Sequence, residues 1–172
     1  MGMAIMASVR DTDTVYPLLG KVSDSIEERK LSFPHYVGAN FDASATNFTY
    51  HIPAPSDDLE PAELTISFLS PITPTSTLRQ SIPASYIHFS VEGNFDIDVY
   101  MDINGDGLSA DANTQIQWYI QSIEFDENGA LWSWQIQREE DAIFTENADH
   151  AEWGKIHFSA PSVSATQRAL QL

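Results

Sequence analysis

The chain is 172 residues long and carries 25 Asp and Glu against 8 Lys and Arg, a formal net charge of −17, with no cysteine. That length suits one domain with a substantial core, and 42% hydrophobic residues with 11% aromatics is a globular composition. The missing cysteines exclude a disulfide scaffold, a thiol nucleophile and a thiolate metal site, and the anionic excess argues against nucleic acid and acidic membrane surfaces as partners.

In chain order, Met1 to Ala7 is mildly apolar, without the basic start and long apolar stretch of a signal peptide. Asp24 followed by Glu27 resembles a capping box, and Val22, Ile26 and Arg29 share a helical face. This predicts a short helix over about residues 23–31. From there the dominant pattern is alternation, the mark of half-buried strands. It runs through Asn47–Ile52, Leu64–Leu69, Ile82–Val91, Phe95–Met101, Gln115–Ile120, Ala130–Ile136 and Lys155–Phe158. Glu92-Gly93-Asn94 and Glu127-Asn128-Gly129 are turn signals, because Gly and Asn tolerate positive φ. Pro53, Pro55, Pro71 and Pro74 mark connections that cannot donate ladder hydrogen bonds. Strands at this spacing predict an all-β fold, an antiparallel β-sandwich with at most one or two short helices. The sandwich is expected over residues 1–160 as one domain, with 161–172 as a tail or the start of a linker. No apolar run approaches the roughly 20 residues of a membrane-spanning helix.

Few residues suggest chemistry. Asp102-Ile103-Asn104-Gly105-Asp106-Gly107 matches the opening of a calcium loop, in which oxygens at positions 1, 3 and 5 converge on a hard cation. Asp102, Asn104 and Asp106 are therefore candidate calcium ligands. Position 12 is Asn113 rather than a bidentate Glu, so a polar turn after a strand explains the same residues. Glu139-Glu140-Asp141 and Asp57-Asp58 read as solvated faces, and the histidines show no ligand spacing. There is no Gly-x-Ser-x-Gly, no Ser-x-x-Lys and no phosphate-binding glycine loop. Trp132 and Trp134 share one strand face, with Trp118 upstream. That arrangement suits either a sugar-stacking surface or ordinary packing. Asn47-Phe48-Thr49 is an N-glycosylation sequon, which makes Asn47 a candidate acceptor in a secreted protein.

Longer motifs carry a resemblance. Leu64-Thr65-Ile66-Ser67-Phe68-Leu69-Ser70-Pro71 leads into Arg79-Gln80-Ser81-Ile82-Pro83-Ala84-Ser85-Tyr86, with Val99-Tyr100-Met101-Asp102-Ile103 and Asp149-His150-Ala151-Glu152-Trp153-Gly154 beyond. With Val15 to Gly20, these resemble the N-terminal domain of the fungal glutaminase A family over about residues 8–160. After Ile103 the chain departs from the family, with Asn104-Gly105-Asp106-Gly107 where relatives tend to have Gly-Glu-Trp.

The resemblance implies a supersandwich-like β domain that partners a helical catalytic domain. It also implies a parent that hydrolyses L-glutamine to glutamate and ammonia outside the cell. The helical domain would lie outside this chain, the sandwich would be clipped at its start, and this segment alone would be inactive. Arg79, Gln80, Tyr86, Glu152 and Trp153 then become structural or domain-interface residues. The resemblance implies no resident cofactor, and calcium rests on the Asp102–Asp106 loop alone. The alternative is a free-standing carbohydrate- or calcium-binding β-sandwich module.

Overall fold

The alternation in Asn47–Ile52 and Leu64–Leu69 becomes the centre of an antiparallel sheet, because a period of two places every second side chain on one face. The computed structural model describes residues 2–21, 29–105, 107–126 and 129–162. In chain order the strands are β1 (Met3–Val9), β2 (Thr14–Leu19), β3 (Lys30–Leu31), β4 (His35–Phe41), β5 (Ala45–Ile52) and β6 (Ala62–Leu69). After the one-turn helix α1 (Thr77–Gln80) come β7 (Tyr86–Glu92), β8 (Ile97–Ile103), β9 (Ile116–Asp126), β10 (Gly129–Arg138), β11 (Glu146–Asn147), β12 (His150–Ala151) and β13 (Lys155–Pro161). This is the all-β sandwich architecture that the alternation predicts.

Residues 22–28, which hold most of the expected helix, lie outside the described residues. At its far end the expectation fails, because Lys30 and Leu31 form a strand paired in parallel with Thr14 and Val15. Lys30 N–H donates to Asp13 O at 3.1 Å and Ser32 N–H to Val15 O at 3.0 Å. Long-range pairing overrides the local helical signal there.

The described residues fall into two compact units. The first is Met3–Asp102. Its two four-stranded sheets have the orders β3-β2-β1-β8 and β4-β5-β6-β7. Ile5, Ala7, Val9, Tyr16 and Leu18 from one sheet and Tyr50, Ile52, Leu64 and Ile66 from the other make a single buried cluster. In the second sheet Phe48 lies opposite Ile66, and Ile66 opposite Phe89. The other faces of those strands carry His51, Glu63 and Glu92 in one row and Asn47, Ser67 and His88 in another.

Tyr50 O–H donates to Leu18 O at 2.8 Å, tying one sheet to the other inside the core. Burial raises the phenol's pKa above its ordinary value, with a smaller contribution from Tyr36. Pro17 sits within β2 opposite Met6, where the register of β1 shifts. β3 has already ended by that point, having paired only with Thr14 and Val15, so the missing N–H interrupts no ladder on that side. Gly20 closes β2 at φ +78°, and a Cβ there would meet Met3 O at 1.8 Å. No other residue type fits.

The second unit comprises Gly2 and the described residues from Ile103 onward. Its main sheet is antiparallel, with β10 between β13 and β9. A two-stranded hairpin, β11 with β12, accompanies it. Gly2 belongs here because its N–H donates to Asn104 Oδ1 at 2.6 Å and its carbonyl accepts from Asn104 N–H at 3.0 Å.

Candidate functional site

The most highly organised polar cluster in the second unit centres on Glu152. The hairpin before it turns through Ala148 and Asp149, both at positive φ (47° and 64°), with Asn147 opposite His150. Two consecutive positive-φ residues give the tight turn that the twist of paired strands favours. Glu152 leaves this hairpin with its backbone fixed at both ends: its N–H donates to Thr145 O at 3.1 Å, and its carbonyl accepts from Ala142 N–H at 3.0 Å. The side chain then points inward and is 8% exposed.

A buried carboxylate must be compensated, or it will neutralise. Glu152 has three donors. Arg138, at the end of β10 with its side chain 18% exposed, forms an ion pair with Oε2. Ser109 Oγ donates at 2.7 Å to Oε2, and Ala110 N–H donates at 3.2 Å to Oε1. Ser109 Oγ in turn accepts from Asp111 N–H at 3.0 Å and lies 2.9 Å from Thr114 Oγ1. Arg138 Nε donates to Glu140 O at 3.1 Å. The cluster thus joins β10, the loop from 104 to 114 and the β11–β12 hairpin. A shallow polar cavity of about 270 Å³ beside it is lined by Thr114, Gln115, Arg138, Glu139 and Glu140. Each group in the ion pair is already committed to another protein group, so the arrangement suits a structural clasp better than proton transfer.

The Asp102–Asp106 loop is placed in part. Asn104 Oδ1 accepts from Gly2 N–H, and Asp106 lies outside the described residues. A Cβ at Gly105 would lie 2.7 Å from Ile116 Cδ1, the far end of a flexible side chain, so a shift of that side chain makes room for it. Asp111 Oδ1 accepts from Asn113 N–H at 2.9 Å and from Asn113 Nδ2 at 3.0 Å. The Asn113 N–H bond is the chief reason that its carboxyl is held below the ordinary carboxylate pKa. Among the described residues no group of three or more His, Asp or Glu is placed to hold a metal ion.

The other motif residues are scattered. Arg79 and Gln80 stand in α1, which buries none of its residues. Among the described residues Arg79 has no ion pair, and Leu78 beside it is 77% exposed. Tyr86, at the start of β7, is also exposed. Trp153 is half-exposed, edge-on to Phe144 with ring centroids 5.7 Å apart. Asn47 lies mid-strand on the outer face of β5, its Nδ2 donating to Asn40 Oδ1 at 2.7 Å. The chain therefore brings only Glu152, of the motif residues, into a built cluster. The sequence reading missed its partners Arg138, Ser109 and Thr114. Arg138 is one of only 8 cations in the chain, but its carboxylate is 14 positions away, beyond any local periodicity.

A serine–histidine contact also exists. Ser133 Oγ lies 3.4 Å from His157 Nδ1 and accepts from Ser159 Oγ at 3.0 Å. Ser133 is fully buried, so no substrate reaches its hydroxyl. In the first unit, an apolar groove of about 320 Å³ is lined by residues including Leu18, Phe33, Tyr36 and Phe48.

The fold is all-β, with a buried ion pair organising the polar cluster of its second unit, and the chain belongs to the family described as a domain of unknown function, DUF5127, whose pattern matches residues 57–171. More particularly, it is similar to a protein of Arthroderma benhamiae named a probable glutaminase, with 46% identity over 164 residues, covering 94% of this chain and 19% of that protein. It is also similar to the Glutaminase A of Aspergillus oryzae, 28% identical over 155 residues, covering 88% of this chain and 20% of the relative. The motif-based resemblance to glutaminase A is thereby borne out, and the protein is glutaminase-related. The chain spans about a fifth of the length of these relatives. No solved structure matches it.

Proposed function

We propose that this domain is an accessory, non-catalytic part of a glutaminase A-like amidohydrolase. The hydrolysis of L-glutamine to glutamate and ammonia would be carried out by the remainder of the parent protein, acting outside the cell. The observation that carries the reading is the coverage: the chain aligns over 94% of its own length with a glutaminase-named protein five times longer. Its chemistry is consistent with support. The carboxylate of Glu152 is locked by Arg138, Ser109 and Ala110, and the hydroxyl of Ser133 is sealed beside His157. A catalytic acid, base or nucleophile must instead present a free lone pair or proton to substrate. The helical domain implied by the motifs is the partner in this reading.

Ammonia release from L-glutamine, measured on the purified 172-residue chain, tests the proposal. The expected result is no turnover above the buffer rate. Turnover that survives repurification and disappears in a Glu152→Gln variant would overturn the accessory role.

A further inference from the structure

The sheet of β9, β10 and β13 has two very different faces. Opposed residues in an antiparallel pair project to the same side. Trp118 is opposite Ile136 and Ile120 opposite Trp134, while Ile136 is opposite Ile156 and Trp134 opposite Phe158. One row further along, Trp132 is opposite Ala160. That side is thus almost wholly aliphatic and aromatic. The other side carries Gln117, Tyr119 and Gln121 on β9, facing Gln137, Gln135 and Ser133 on β10.

A sheet with one solvated face ordinarily turns its polar side outward and covers its apolar side. Here the apolar side is itself open: Trp118 is 43% exposed, Ile120 44% and Trp132 42%, although Ile136 among them is fully buried. A sugar-binding surface would surround its stacking rings with donors and acceptors. On this face Arg138 is committed to Glu152, and the remaining polar groups among the described residues of the sheet are Ser122, opposite Trp132, and Glu124, one row beyond it.

We propose that this face, centred on Trp118, Ile120 and Trp132, is the seat of the remaining polypeptide of a longer parent chain, which presents an apolar surface poor in hydrogen-bonding groups. The inference rests on the reading of the domain as one part of a glutaminase A-like protein, and it identifies the surface of contact. Size decides the occupant. The open portions of these side chains and Ile116 amount to roughly 350 Å², taking about 250 Å² for a whole tryptophan. A stable complex of separate molecules needs about 800 Å² on each partner, so a second copy would be poorly held. A covalently linked partner acts at an effective concentration in the millimolar range and is held by far less. The relatives supply such a partner in length, since this chain covers only 19–20% of them.

Hydroxyl-radical footprinting tests the surface. The 172-residue chain is compared with a full-length hybrid in which it replaces the matching segment of the Arthroderma benhamiae relative. Trp118 and Trp132 are expected to lose about tenfold in oxidation rate in the hybrid, as their exposure falls from over 40% to the few per cent of an interface core. Tyr119, 42% exposed on the opposite face, serves as the internal control and is expected not to change. Equal Trp reactivity in the two proteins overturns the proposal. So does concentration-dependent protection in the 172-residue chain alone, which would make the occupant a second copy. A Trp118→Gln, Trp132→Gln variant of the 172-residue chain gives a second reading that needs no hybrid. Its Tm is expected to stay near that of the parent chain, and a fall as large as that of Ile136→Ala would make these tryptophans core and overturn the assignment. Glutamine hydrolysis by the hybrid bears separately on the proposed function and leaves the footprint result standing.

Discussion

Glu152→Ala removes a side chain that is 8% exposed and leaves three donors facing a void. The Arg138 side chain, 18% exposed, loses its counter-charge and keeps the bond from Nε to Glu140 O. Ser109 Oγ–H and Ala110 N–H lose their acceptor. Breaking a buried ion pair from one side costs about 3–5 kcal/mol. Partial water access to Arg138 places the expectation at the lower end, about 3 kcal/mol. Arg138→Met is expected to cost a similar amount by stranding the carboxylate. The double variant Arg138→Met, Glu152→Ala leaves neither charge buried without its partner, so it is expected to be more stable than the sum of the single losses predicts, by about 2 kcal/mol.

The assay is unusually clean. All four tryptophans of the chain, Trp118, Trp132, Trp134 and Trp153, lie in the unit that contains the clasp. Urea unfolding followed by tryptophan fluorescence therefore reports that unit alone, and the midpoints of the four proteins close the cycle. A coupling below about 0.5 kcal/mol, the usual scatter of independent sites, would refute the view that Arg138 and Glu152 clasp the loop and hairpin to the sheet.

Other perturbations address the first unit, which holds no tryptophan and is followed by far-UV circular dichroism. Gly20→Ala forces a Cβ to within 1.8 Å of Met3 O at φ +78°, and a loss of about 3 kcal/mol or more is expected; a Tm within error of wild type would contradict the geometry. Tyr50→Phe deletes the bond to Leu18 O and is expected to cost about 1–3 kcal/mol, because a carbonyl in the core loses its donor. Asp42 accepts from Ser44 N–H at 2.7 Å and Ala45 N–H at 2.8 Å. These bonds hold its carboxyl below its ordinary pKa of 3.8. A lowered folded-state pKa means that the stabilisation is complete above 3.8 and fades as pH falls through the lower folded value. Asp42→Asn is expected to flatten that part of the acid-unfolding curve, and an unchanged acid limb would count against the turn.

The sequence by itself determined the fold class. Period-two alternation in segments such as Leu64–Leu69 and Ala130–Ile136 survives as β6 and β10, because a strand's facing is a local property of chain geometry. It also placed Trp132 and Trp134 on one face, and its longer motifs gave the kinship with glutaminase A. Some strands lacked a local signal. β4, with His35, Gly38 and Asn40, does not alternate clearly and exists because β5 offers it a ladder. Lys30 and Leu31 pair in parallel with β2 against the helical pattern around them.

The polar clasp was decided by tertiary structure alone. Glu152 stood out within a motif, but Arg138, Ser109 and Ala110 reach it across separations of 14 to 43 positions, which no periodicity encodes. Whether an apolar face is buried or open is likewise a fact of packing. Trp118 and Ile136 are opposed on one face, and they read alike as hydrophobic in sequence. Only the folded chain buries Ile136 completely and leaves Trp118 in solvent, because burial depends on which other segments lie across a face, and that is set by contacts between residues distant in the chain.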